Sequence, residues 1–416
     1  MKIRIPKRLE CLEWFLLFVL YYSHGAAVLA IGNSTIIAMI SVLILLWFYK
    51  KMRIGIPQHA FYAFGLLLLN HILTGILSGA NISEGFNFLT WLEMLFFYLG
   101  VYILIQFDGE KVIEKYVRIV VFFAAVSLIC YLLISTGFGN ILYILFKSQW
   151  GSGTRIYHGK WLYAYCEHFM RNNGVFYEPG VTQIPLVMSL FVLILYPNKL
   201  CFTQKRMIVS LSILIVTLIT TKSTTAYIGL IAIILGYFFK KKEKKDIVIG
   251  VAIIFGVSFL FYDYIHNGSS SLIQTFLLDK LDETTSVKIT RSSGGARLVA
   301  MKLGVQSAIT HPFGIGYLNW ERQLEYIYGG KFGTGNALFT QLGTRGFLAF
   351  GMSLYLAIMP AIKTIKEKIP LLIYIFLYLN ITIAQGKILY PSIIMISFFL
   401  YPQLSENEKF HKKILI

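Results

Sequence analysis

The chain has 416 residues, of which 56% are hydrophobic, 16% aromatic and 14% charged, with a mean hydropathy of +0.67. Soluble globular proteins carry roughly 25% charge, so an ordinary water-soluble fold is excluded, and apolar runs near the ~20 residues that cross a bilayer account for the deficit. The formal charge of +18 does not point to nucleic acid, because the basic residues gather at the ends of alternate apolar runs and no basic face with interleaved aromatics lies outside them.

From the N-terminus, Lys2, Arg4, Lys7 and Arg8 precede the first apolar stretch much as in a signal peptide. That stretch is long and lacks a small-x-small cleavage site, so it reads as an uncleaved first span. Spans are predicted near 11–31, 34–49, 60–77, 88–106, 117–136, 181–196, 207–221, 225–239, 247–264, 346–362, 371–385 and 388–402. Tight turns at Gly32-Asn33 and near Thr221–Thr224 join antiparallel helical pairs. The expected fold is an all-α polytopic membrane protein, one integral membrane domain over 1–416 with about 12 transmembrane helices. Cys11, Cys130, Cys166 and Cys201 form no disulfide framework and no zinc spacing.

Orientation follows from the basic residues. With the N-terminus cytoplasmic, the inner segments hold 24 Lys and Arg, whereas the short outer loops hold only Lys222 and Lys387. Both termini are therefore expected on the cytoplasmic side. Two long outer loops, 137–180 and 265–345, are exempt from that count, and loops this long in a compact protein are usually functional or disordered. Both are rich in aromatics (Trp150, Tyr157, Trp161, Tyr163 and Tyr165; Tyr317, Trp320, Tyr326 and Tyr328), which argues against disorder. Such side chains suit a membrane interface or stacking on sugar rings.

Four clusters carry the candidate chemistry. Arg171 and Glu178 lie seven residues apart in 171–180, just before a span. An arginine offers a fixed donor fork for phosphate oxygens, and a partly buried glutamate beside Pro179 can serve as a general base; a local ion pair stiffening the loop is the alternative. Arg291 and Arg297 flank Gly294-Gly295 at the start of an amphipathic helix predicted near 296–310, with Leu298, Met301, Val305 and Ile309 at helical spacing. This arrangement suits an anion site or contact with anionic lipid head groups. Asn336, and Arg345 within Gly343–Gly346, offer a sugar or phosphate ligand and a further positive charge, or a helix cap and a snorkelling base. His311, in His311-Pro312-Phe313-Gly314-Ile315-Gly316, is a substrate ligand or a structural hydrogen-bonder. Ionisable residues within the spans are sparse, which counts against a proton-driven transporter. There is no Walker A, no dinucleotide fingerprint and no Asp-x-Asp for a nucleotide sugar, so no cofactor and no metal are expected.

Taken in order, Arg171-x-x-Gly174-x-Phe176-x-Glu178-Pro179-Gly180, Thr221–Ala226, Gly295-x-Arg297 with His311–Gly316, and Asn336 with Gly343–Gly346 resemble the O-antigen polymerase and ligase families of bacterial membranes. The resemblance implies a fold similar to the class C glycosyltransferases and a glycosyltransferase at the outer face of the cytoplasmic (inner) membrane. Its donor and acceptor would be undecaprenyl-pyrophosphate-linked oligosaccharides and its surroundings membrane lipids, with room for a chain-length regulator. Ligases of this superfamily carry a histidine just before the asparagine of the last large loop; here that position is Gly335, which favours polymerase over ligase. A flippase for the same lipid-linked sugar is the competing class. The resemblance implies arginines of both large loops neutralising the leaving pyrophosphate; the residues expected there are Arg171, Arg291 and Arg297, with Glu178 expected to activate the acceptor hydroxyl.

Overall fold

The computed structural model describes residues 7–26, 58–77, 88–139, 141–142, 149–152, 155–158, 162–166, 171–241, 243, 248–250, 252, 293–328 and 335–399. The span expected near 34–49, nearly all of that near 247–264, and Arg291 lie outside these residues. The described chain is mainly helical. Its helices are α1 (Lys7–Tyr22), α2 (Gln58–Leu77), α3 (Phe88–Asp108), α4 (Glu110–Ser135), α5 (Pro179–Leu195), α6 (Gln204–Thr220), α7 (Thr224–Lys241), α8 (Ser293–Thr310), α9 (Tyr317–Tyr328), α10 (Ala337–Thr364), α11 (Lys368–Ala384) and α12 (Pro391–Phe398). Gln58–Leu77, Lys111–Ser135, Thr224–Lys241 and Ala337–Thr364 are long and apolar enough to cross a membrane; Met94–Gln106, Pro179–Leu195 and Lys368–Ala384 are shorter apolar helices.

The long loop 137–180 also holds a three-stranded antiparallel sheet, β1 (Gln149–Ser152), β2 (Arg155–His158) and β3 (Tyr165–Cys166), in that order. Trp150 stands opposite Tyr157, and Tyr157 opposite Cys166. The all-helical expectation is thus qualified by one small hairpin-based sheet.

Some boundaries differ for identifiable reasons. The first span, expected to residue 31, ends at Tyr22. There Ser23 Oγ donates to the Val19 carbonyl (2.6 Å) and the His24 ring bonds the Leu20 and Tyr21 carbonyls, filling acceptors that a continuing helix would use. Ala26 then forms a β-bridge with Phe176. The residues between the spans expected at 88–106 and 117–136 are mostly helical, because α3 and α4 abut at Gly109. Helix starts follow local chemistry: the Thr203 hydroxyl caps α6, Asn336 caps α10, and prolines open α5 and α12.

Packing brings the lysine-rich segments to one end of the bundle. Lys115 bridges Glu13 of α1 and Asp108 of α3, while Glu114 pairs with Arg118 and accepts a hydrogen bond from the Cys201 backbone N–H (3.1 Å). Lys240 at the end of α7 reaches the Leu195 carbonyl (2.5 Å) and Glu367 between α10 and α11 (2.9 Å). The motif-bearing segments 171–180, 220–224, 297, 336 and 384–390 meet at the other end, through the contacts described below.

Helix α8 packs along α10 in the same direction, with Gly304 against Phe339 and Gly343, and its small residues Ala296, Ala300, Gly304, Ser307 and Ala308 are all buried. The apolar stripe Leu298, Met301, Val305 and Ile309 is exposed. A helix thus covers the stretch 296–310, with its small residues turned inward and its large apolar residues facing outward. That is the reverse of a soluble helix, and it suits a lipid interface. Trp320 of α9 closes a satellite cluster with Ala296, Ala300, Ile315 and Leu324.

Candidate functional site

The site begins with the segment that feeds α5. Asn172 donates its backbone N–H to the Thr220 carbonyl (3.0 Å) and its side-chain N–H groups to the Thr220 and Ser127 hydroxyls (3.0 and 3.2 Å), and its Oδ1 accepts from Gly174 (3.0 Å). The Thr182 hydroxyl donates back to the Asn173 carbonyl. These bonds pin 172–174 between α4 and the α6–α7 turn and leave Glu178 as the extended residue (φ −138°, ψ 142°) immediately before Pro179.

Helix α8 supplies the opposing charge. Arg297 donates from Nη2 to the Ala384 carbonyl (3.2 Å), and its own carbonyl accepts from Asn336 Nδ2 (3.2 Å). Its Nε is buried without a hydrogen-bond partner among the described residues. Burial pushes the Arg297 pKa down, and the Glu178 carboxylate pushes it back up. A guanidinium starts so far above neutrality that Arg297 remains a cation. A buried N–H without a partner costs about 1–3 kcal/mol, which a bound acceptor would recover.

Helix α10 completes the constellation. The Asn336 Oδ1 accepts from the Phe339 N–H (3.2 Å), and the Ala337 N–H donates to the Gln385 carbonyl (2.8 Å). Gly180 lies so close to the Gln385 amide that a Cβ there would overlap it. The start of α5, the start of α10 and Arg297 thus all abut the Ala384–Gln385 turn. Two helix N-termini and a guanidinium make this end of the bundle electropositive, with one carboxylate set against it.

Sequence reading picks out Glu178, Arg297 and Asn336, and the structure assembles these three. His311 and Arg345 lie elsewhere, at the junction described below. Arg171 is half-buried beside the α6–α7 turn, where burial lowers its pKa and Tyr227 raises it. His311 is exposed, with Nδ1 2.9 Å from the Thr310 hydroxyl, and lies about 20 Å along α8 from Arg297 at 1.5 Å per residue. Arg345 sits at a kink in α10, where Gly346 adopts φ 75°, ψ −173°.

The two glycine-rich motifs explain that kink together. Phe347 N–H donates to the Pro312 carbonyl (2.9 Å), Ile315 N–H to Gly343 (3.0 Å) and Gly316 N–H to Thr344 (3.0 Å). From α2, Asn70 donates to the Arg345 carbonyl (2.7 Å) and Thr74 to the Phe313 carbonyl (2.5 Å). The segments 311–316 and 343–346 are therefore one interlocked backbone junction, and their glycines serve that close approach.

Sequence reading misses Gln385 and Lys387, both on the α11–α12 turn. Lys387 donates to the Ser23 carbonyl (3.3 Å) and lies 5.7 Å from the centroid of the Phe97 ring. A signal for it exists: with Lys222, it is one of the two basic residues in the short loops that the charge count leaves otherwise free of them. Gln385 carries no such mark. No family model matches the chain, and no curated protein is significantly similar to it.

Proposed function

We propose that this chain is a polysaccharide polymerase of the bacterial cytoplasmic membrane, extending an O-antigen or related surface polysaccharide from undecaprenyl-pyrophosphate-linked repeat units. The observation that carries the reading is the meeting of Arg297 and Glu178 with the starts of α5 and α10, at the end of the bundle opposite the lysine-rich segments. The ordered motifs that resemble O-antigen polymerases and ligases supply the substrate class. In this reading about twelve spans, one of them and nearly all of a second outside the described residues, place both termini in the cytoplasm and both long loops on the outer face, where nucleotide sugars are absent. The overall architecture is then similar to that of the class C glycosyltransferases.

The chemistry is a substitution at the anomeric carbon. The bond from that carbon to the pyrophosphate oxygen of the growing chain breaks, and a bond to a hydroxyl of the incoming unit forms. Glu178 takes the hydroxyl proton, and undecaprenyl pyrophosphate leaves with its extra negative charge facing Arg297 and the helix N-termini. Donors aimed at developing charge in a water-poor site supply one of the largest catalytic terms available. Arg171 and Arg291 remain further pyrophosphate ligands in this proposal, and Asn336 a sugar or phosphate ligand; His311 and Arg345 act through the backbone junction. A ligase or a lipid-linked oligosaccharide flippase is the second reading, favoured by the same substrate motifs.

The test is a deletion strain whose surface glycolipids are separated by size. A single repeat unit on the lipid with the ladder gone supports polymerase. Loss of every sugar-bearing band, with monomer held on its carrier, refutes it, and the membrane face on which that monomer lies then separates ligase from flippase.

A further inference from the structure

Below the turn that Arg297 and the start of α5 both abut, α5 carries a group that the reaction above does not use. Gln183 is fully buried, and neither its Nε2 nor its Oε1 has a hydrogen-bond partner among the described residues. Its position on the helix is informative. Gly180, Gln183 and Val187 follow at spacings of three and four and share one face. Gly180 lies against the Gln385 amide, and Val187 lies against Gly229 of α7. Gln183 therefore lies one turn beneath the Ala384–Gln385 turn that Arg297 and the start of α10 both contact. On α11, which packs against α5, Tyr378 is also fully buried with its hydroxyl unmatched, and Asn173 Oδ1, ahead of α5, is a third buried acceptor without a donor.

The chemistry of the unmet groups selects a ligand. A phosphate oxygen only accepts, so it would leave the Gln183 and Asn173 carbonyl oxygens as they are. A sugar hydroxyl both donates and accepts, and two neighbouring hydroxyls can meet the carbonyl and the amino group of one amide together. Gly180 places no side chain over Gln183 on this face. The space is taken by the Gln385 amide, on a non-helical turn, and that amide can yield to a ligand offering the same bond types.

We infer that Gln183 forms a sugar-hydroxyl subsite beneath the pyrophosphate site, reading a neutral saccharide ring and not the carrier, with the unmatched Tyr378 hydroxyl of α11 as a second candidate contact. The inference rests on the polymerase reading for the identity of the lipid-linked substrate. It assigns the polar floor to the sugar and the arginine end to the pyrophosphate.

The experiment compares two probes on the purified full-length protein in lipid nanodiscs: undecaprenyl pyrophosphate alone, and the lipid-linked oligosaccharide extracted from the same cells. Wild-type protein is expected to bind the sugar-bearing carrier about tenfold more tightly than the bare one. Gln183→Met, of similar volume, is expected to bind the bare carrier as wild type does and to lose that preference. It should also unfold at the same temperature or higher, since it removes an unmatched amide. Tyr378→Phe should lose part of the preference. If Gln183→Met keeps the full preference, or if wild type shows none while still binding the bare carrier, the subsite is wrong and the polymerase reading stands. If wild type binds neither carrier, the polymerase reading fails and takes the subsite with it.

Discussion

Replacing Gly346 by alanine tests the junction that shapes α10. At φ 75° and ψ −173° the backbone occupies a region that only glycine enters readily, and a Cβ there would overlap the Pro312 carbonyl and Phe313. The conformational term is about 1–3 kcal/mol, and forcing 312–313 away breaks the Phe347–Pro312 hydrogen bond (2.9 Å), worth about 1 kcal/mol more. A loss of about 3 kcal/mol, roughly a hundredfold in the folding equilibrium, is expected. Gly351→Ala provides the control. Gly351 lies five residues further along the same helix, and a Cβ there would meet nothing within 4 Å, so it should be neutral or stabilising by up to about 1 kcal/mol. Thermal unfolding of both variants as fluorescent-protein fusions in detergent gives the comparison. Equal midpoints for Gly346→Ala and Gly351→Ala would refute the interlock as the reason for the glycine.

The remaining predictions concern charge and sidedness. Arg297→Ala should reduce polymer formation by about 10²–10³-fold with normal insertion, and Arg297→Lys should restore only part because it keeps the charge but not the donor fork; full activity in Arg297→Ala would remove it from the site. Glu178→Gln, almost isosteric, should slow chain extension by about 10²–10⁴-fold in a reconstituted assay, and an unchanged rate would dismiss it as the base. At the other end of the bundle, Lys115→Met would leave Glu13 and Asp108 without their shared cation, costing about 3–5 kcal/mol of stability in a denaturation series; a neutral result would mean that the cluster is solvated. Cysteines placed at Lys222 and Lys366 in a cysteine-free background should react with an impermeant thiol reagent from opposite sides of the membrane, and labelling from one side only would break the proposed topology.

Much of the helical architecture is legible in the sequence because a bilayer imposes it. A run of apolar residues must satisfy its own backbone as a helix in hydrocarbon, so composition alone places elements such as α2, α4 and α11. Charge adds which turns belong together, and the contacts among Lys115, Glu13 and Asp108, and between Lys240 and Glu367, join turns grouped by their basic residues. Short-range motifs single out Glu178, Arg297 and Asn336, since each sits at or near a helix start whose chemistry is local. The end of α1 at Tyr22 is less legible: an apolar run continues past it, and the break depends on Ser23 and His24 turning back to carbonyls of the preceding turn.

The three-dimensional packing decided the rest. Nothing in the order of residues says that Gln385 will cover Gly180, that Gln183 will lie buried one turn beneath it, or that 311–316 and 343–346 will close on each other as one junction. Those relations join segments from thirty to more than two hundred residues apart, and a polar residue in a chain acquires its meaning from what burial leaves unmatched around it. The sequence by itself determined where the long apolar helices among the described residues form and which segments are basic, because those follow from transfer between water and hydrocarbon, a property each residue carries alone. Which side chains meet at the end of the bundle away from the lysine-rich segments, and which buried groups are left needing a partner, is a property of pairs, and only the tertiary structure decided it.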